Sequence, residues 1–141
     1  MYLTYDEYLN MGGVTDEAVF RDYDNLEFEA RSVIDWYTFN RLQKETVYPE
    51  AVKRCMYRLI SLIQEQRQAM IVNPKSSDGT VRGSIASESN DGVSASYNVL
   101  SAKEAVESIQ NSLKTTVNMY LQGVKNSLGH KLLYRGVYAD E

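Results

Sequence analysis

Through Tyr48–Met70 apolar side chains return every three or four positions. Val52, Cys55, Met56, Leu59, Leu62, Ile63 and, past a polar gap at Gln66, Met70 fall on one stripe of a 3.6-residue helix. Pro49 suits the first turn, where a missing N–H is no loss, and Glu50 complements the positive end of the helix dipole. Lys53, Arg54, Ser61, Gln64, Glu65, Arg67 and Gln68 occupy the opposite face and are expected to meet water. Burying such a stripe stabilises by roughly 1.5–3 kcal/mol per large side chain, so the helix requires a partner surface.

The flanking segments supply it. Thr4 and Glu7 have capping-box spacing, which predicts a short helix from Thr4 to Met11 closed by Gly12-Gly13. Thr15 opens a longer helix over 15–38, with Asp16 and Glu17 in its first turn. Val19, Tyr23, Leu26, Ala30, Val33, Ile34 and Tyr37 form its apolar stripe. Asp22, Asp24, Glu27 and Glu29 crowd the other side and read as a solvated face. No loop glycine or histidine accompanies them at metal-ligand spacing. Residues 39–47 connect to the central helix, with a further turn around Arg41–Lys44.

After Met70 the period changes. Asn73-Pro74-Lys75-Ser76-Ser77-Asp78-Gly79 has the composition of an exposed loop. Val81, Gly83 and Ile85, then Val93, Ala95, Tyr97 and Val99, alternate with polar residues on either side of Asn90-Asp91-Gly92, a strong turn signal. Residues 81–99 are therefore expected to form a β-hairpin. Two strands alone are marginal and leave open edges. Such a hairpin lies on the helices as a flap or reaches another subunit; its serine-rich strands bury little, which favours the second. The residues placed at that contact are Ile85, Asn90, Asp91, Gly92, Val93 and Tyr97.

Ser101, with Glu104 three residues on, begins the last long helix. Ala105, Val106, Ile109, Leu113, Val117, Tyr120 and Leu121 make its stripe, and Gly123 suits its C-cap. The remaining 124–141 are too apolar for a plain solvated terminus. They are expected to fold back on the domain or to dock on something else.

At 141 residues with 43% hydrophobic and 24% charged side chains, the chain reads as one globular domain. No apolar run approaches the ~20 residues of a membrane span. The opening MYLTYDEYLN lacks the regions of a signal peptide. A lone Cys55 leaves no internal disulfide and suits a reducing compartment. Net charge is −4, which argues against general nucleic-acid binding. Residues 1–50 hold 11 acidic and 4 basic side chains (−7), and residues 51–141 hold 8 and 11 (+3). Such polarity suits head-to-tail self-association, although solvated faces of differing composition are the simpler reading of charge alone.

Catalytic constellations are not evident. His130 stands alone between Gly129 and Lys131 and reads as a surface or turn residue. No nucleophile elbow, phosphate loop, dinucleotide fingerprint or zinc spacing occurs. Cys55 sits on the apolar stripe as a small hydrophobe. Of the 11 tyrosines, Tyr23, Tyr37 and Tyr120 fall on helical stripes, whereas Tyr134 and Tyr138 are the better interface candidates. No enzymatic activity, metal or cofactor is expected.

Three features stand in order: ESNDGVSASYN at 88–98, a helix ending NMYLQG at 118–123, and LLYRGV at 132–137. With the upstream helices and the opening MYLTYDEYLNMGG, nearly the whole chain resembles the head–tail connector (adaptor, or head-completion) proteins of long-tailed bacteriophages. The resemblance implies a structural virion protein that forms a ring of about twelve subunits beneath the portal, matching it by closed symmetry. Such a ring extends the DNA channel, without sequence-specific DNA contact, and supports a stopper or tail-completion protein. It implies portal contact through Lys131, Leu132, Leu133, Tyr134, Arg135, Gly136 and Val137, in the virion neck after assembly in the host cytoplasm.

The expected fold is mainly α. It is a small bundle of three long helices plus a short N-terminal helix, with one inserted β-hairpin and an extended C-terminal tail. Its segments are helices over 1–72, loop and hairpin over 73–100, a helix over 101–123 and a tail over 124–141. The alternatives are a tail-completion or other neck protein one layer further out, or a small helical partner-binding regulator.

Overall fold

A computed structural model describes the backbone of residues 1–72 and 102–141. The hairpin expected over 81–99 and the cap at Ser101 lie outside those residues. Four helices are described: α1 (Tyr5–Asn10), α2 (Glu17–Thr38), α3 (Glu50–Val72) and α4 (Ala102–Leu121). The described residues are mainly helical, as the apolar spacing requires, and contain no strand beyond an isolated antiparallel bridge between Lys125 and Lys131. Contacts divide the chain into two compact units. The first joins Met1–Ile63 to Ser112–Glu141, and the second is Gln64–Asn111. In the second unit the described backbone is the far end of α3 and the opening turns of α4. The first contains the core and the C-terminal segment.

Thr4 and Glu7 close the expected capping box at the start of α1: the Thr4 hydroxyl accepts from the Glu7 N–H, and the Glu7 carboxylate accepts from the Thr4 N–H. Gly12 then turns the chain at φ 99°. Gly13 lies so close to the buried Tyr8 ring that an added Cβ would fall 2.3 Å from it, so only glycine passes. The α2 cap is Asp16 rather than Thr15. Its carboxylate accepts from the Ala18 N–H at 2.8 Å, which leaves Glu17 as the first helical residue.

The core forms where the stripes meet. Tyr23, Leu26, Ala30 and Ile34 of α2 are buried with Val52, Cys55, Met56, Leu59 and Ile63 of α3 and Val117 and Leu121 of α4. The buried side of α3 is centred on Val52, Met56 and Ile63. It therefore takes in Ile60, which lies off the expected stripe, and leaves Leu62 only partly covered. Tyr37 and Tyr120 pack at the edge of this core. Val106, expected on the α4 stripe, is half-exposed.

Two expectations of solvation fail for one reason, which is that the N-terminal segment lies against α2 and α3. Glu27 is 1% exposed: it accepts the Tyr2 N–H at 2.7 Å and pairs with Arg31 at 3.3 Å. Lys53 reaches the Glu7 carboxylate instead of water. The Tyr2 hydroxyl donates to Asp35, and the Tyr23 hydroxyl donates to the Leu3 carbonyl at 2.9 Å. Burial is the largest cause pushing both phenols well above the usual tyrosine range. Leu3 is fully buried between these ties.

Candidate functional site

The site is assembled where α2 ends. Phe39 and Asn40 both take left-handed backbone, at φ 55° and 60°, a conformation non-glycine residues rarely adopt. The Asn40 N–H returns to the Asp35 carbonyl at 3.0 Å. This reversal turns the next side chain, Arg41, inward, where it is 8% exposed.

Arg41 gathers the C-terminal segment. Its guanidinium donates to the carbonyls of Leu132 (3.1 Å), Lys131 (3.3 Å), Tyr134 (2.5 Å) and Gly136 (2.6 Å). Its Nε also donates to the Glu141 carboxylate at 2.6 Å. Phe39, Tyr134 and Tyr138 rings lie 5.2–5.9 Å from the guanidinium carbon. A planar fork of five N–H donors suits this task, which an ammonium group cannot perform. The Arg41 hydrogen bond is also the largest cause holding the Glu141 carboxyl below the usual carboxylate range.

Residues 124–132 complete the fold-back. The Leu132 N–H donates to the Val124 carbonyl at 2.9 Å and the Asn126 N–H to the His130 carbonyl at 2.9 Å. Between them Gly129 turns at φ 82°, and the Asn126 side chain accepts from the Leu128 and His130 N–H groups. His130 is consequently not a surface residue. It is 6% exposed, stacks on Tyr138 with ring centroids 4.1 Å apart, and places Nε2 2.7 Å from Asp140. Asn126 fixes its backbone, and the aromatic face of Tyr138 covers its ring.

The expected portal-contact residues thus divide by environment. Leu132 belongs to the core at 0% exposure, and Leu133 is partly buried. Gly136 is half-covered, with its carbonyl held by Arg41. Lys131, Tyr134, Arg135 and Val137 are exposed. Tyr134 is 48% and Val137 79% exposed, although the backbone around them is tied down. The tail is therefore not extended: it folds back on its own unit and presents side chains from a fixed loop. The hairpin positions Ile85, Asn90, Asp91, Gly92, Val93 and Tyr97 lie outside the described residues.

Beside this loop an open groove of about 930 Å³ runs along the water-facing side of α2. Phe28, Trp36, Phe39 and Leu133 supply apolar walls; Arg31, Lys114 and Arg135 supply positive charge, and Asp35 supplies a carboxylate. Trp36 is 77% exposed. The expected stripes omit Phe28 and Trp36 because both lie on the polar face of α2. Large aromatics on that face were themselves the available signal. Among the described residues, no group of three or more histidine, cysteine, aspartate or glutamate side chains is arranged to hold a metal ion. Comparison with protein families, with characterised proteins and with solved structures finds no match.

Proposed function

We propose that this chain is a structural assembly protein of the head–tail connector kind, which docks on a larger ring through its C-terminal segment. One observation carries the reading. The Arg41 clasp fixes the backbone of Lys131–Gly136 while Tyr134, Arg135 and Val137 stay exposed. A fixed loop with outward apolar and cationic side chains loses little conformational entropy on docking. Amphipathic aromatics such as Tyr134 are favoured contact residues.

In this reading the ring forms against a phage portal, and the next neck protein, a stopper or tail-completion protein, takes the opposite face. The period-two stretch at 81–99 serves as a hairpin that reaches a neighbouring subunit. The opposite-signed regions of the chain suit head-to-tail contacts around such a ring. DNA passes through the channel without specific contact.

Light scattering on the purified chain mixed with its cognate portal tests this. Co-migration of the wild type, with loss of binding in Val137→Asp and weakening in Tyr134→Ala, is the expected result. Both positions are exposed, so neither change should unfold the chain. A wild-type chain that ignores the portal would overturn the connector reading.

A further inference from the structure

The groove beside the clasp draws its walls from three places in one unit: Phe28 and Trp36 from α2, Lys114 and Asn118 from α4, and Leu133 and Arg135 from the C-terminal loop. Phe28 and Trp36 lie about 12 Å apart along α2 and about 80° apart around it, with the small Ser32 between them. They are two sides of a trough, as long as about four residues of extended chain. Arg41 holds the loop wall. Its guanidinium takes the carbonyls of Leu132, Tyr134 and Gly136, which bracket Leu133 and Arg135. The groove is therefore largely formed before anything enters it, which limits the entropy lost on binding.

Charge in the groove is unbalanced by one. Arg31 is already answered by the buried Glu27 at 3.3 Å, and its guanidinium carbon lies 5.4 Å from the Phe28 ring centre. Asp35 keeps its charge, but both its oxygens are occupied: one accepts from the Tyr2 hydroxyl and the other from the Gln43 amide at 3.4 Å. Lys114 and Arg135 pair with no carboxylate among the described residues. Set against Asp35, these two cations leave one positive charge in the groove of a chain whose net charge is −4. A single incoming carboxylate cancels it. A run of phosphates would overshoot it and meet Asp35. The side-chain amides of Asn40 and Asn118 also line the groove, and an amide both donates to and accepts from a peptide backbone.

We propose that this groove binds an extended acidic segment of a partner protein. One Asp or Glu side chain of the segment meets Lys114 and Arg135, and its apolar neighbours lie against Phe28, Trp36 and Leu133. Rings and aliphatic walls supply the contact area, and the carboxylate selects which segment fits. Tyr134 and Val137 are not among the walls, so the proposal stands apart from the connector reading.

The test uses the full chain alone. Trp36 is its single tryptophan, so tryptophan emission reports on the groove directly. The probes are blocked, tryptophan-free peptides Ser-Leu-Phe-X-Leu-Phe-Ser, with X as Asp, Asn or Lys, and a short oligothymidylate. The Asp peptide should shift Trp36 emission to the blue and saturate, binding more weakly as salt is raised. Asn in place of Asp should weaken binding about fivefold, the effect of a partly solvated charge pair, and Lys should weaken it further. In Lys114→Glu combined with Arg135→Glu the order should invert, with the Lys peptide bound best. Both positions are exposed, so the double variant should fold, which circular dichroism verifies. An Asp peptide that leaves Trp36 emission unmoved overturns the proposal, whether or not the chain binds a portal. Equal affinity for the Asp, Asn and Lys peptides overturns it too, because the groove would then select only for apolar surface. So does oligothymidylate binding more tightly than the Asp peptide, which would make this a site for single-stranded nucleic acid.

Discussion

Arg41 donates to the carbonyl of Leu132 at 3.1 Å across 91 residues of sequence. That bond joins the end of α2 to a residue of the core, and its neighbours tie down the loop that follows. Arg41→Ala leaves four carbonyls and the Glu141 carboxylate without their donor. A buried acceptor left dry costs roughly 1–3 kcal/mol, and the segment limits the loss by peeling into water. The expected result is a modest fall in melting temperature together with fast amide exchange over residues 131–138. Unchanged exchange there would mean that packing alone holds the loop.

Glu27 anchors the other end of the chain. Glu27→Ala removes the acceptor for the buried Tyr2 N–H and the partner of Arg31, and it opens a void beside α2. A loss of roughly 1–3 kcal/mol is expected in urea unfolding, with Glu27→Gln recovering part of it because an amide oxygen still accepts from Tyr2. Equal losses for both would show that charge, rather than the hydrogen bond, carries the effect.

Cys55 is fully buried, and burial pushes its thiol up to about 12. At neutral pH it is overwhelmingly un-ionised and inaccessible. A thiol reagent should label the native chain only as fast as it opens, and the urea-unfolded chain at once. Rapid native labelling would contradict the packing of α3.

Acid should loosen both ends together. The Lys53 hydrogen bond is the largest cause lowering the Glu7 carboxyl, and the Arg41 hydrogen bond lowers that of Glu141. A carboxyl lowered in the folded state binds protons preferentially when unfolded, so its contribution is present above the ordinary carboxylate pKa and fades as pH falls toward the lowered one. Melting temperature should therefore be flat near neutrality and decline below about pH 5. Glu7→Gln combined with Glu141→Gln should flatten part of that decline. Both groups are partly solvated, so the effect is small.

Helices and core were legible because burial imposes a period. The capping box at Thr4–Glu7, the α2 stripe and the inert Cys55 all follow from local spacing. Glu27, Arg41 and His130 were not legible. Each is a polar residue made interior by a distant segment: Tyr2 for Glu27, the 131–141 loop for Arg41, and Tyr138 with Asp140 for His130. A local pattern assigns such residues to water because their partners lie far along the chain. Phe28 and Trp36 in the groove wall escaped for the opposite reason, since a stripe search keeps apolar residues that share the buried face and passes over those that do not.

The clasp and the proposed docking meet in one variant. Arg41→Lys keeps the charge but cannot serve four carbonyls and a carboxylate at once. The measurement is light scattering of this variant with the cognate portal, alongside amide exchange over residues 131–138. Arg41→Lys should keep the helical fold, loosen the loop and abolish portal binding, with Tyr134 and Val137 still present. Full portal binding with the loop released would show that docking does not depend on the clasp.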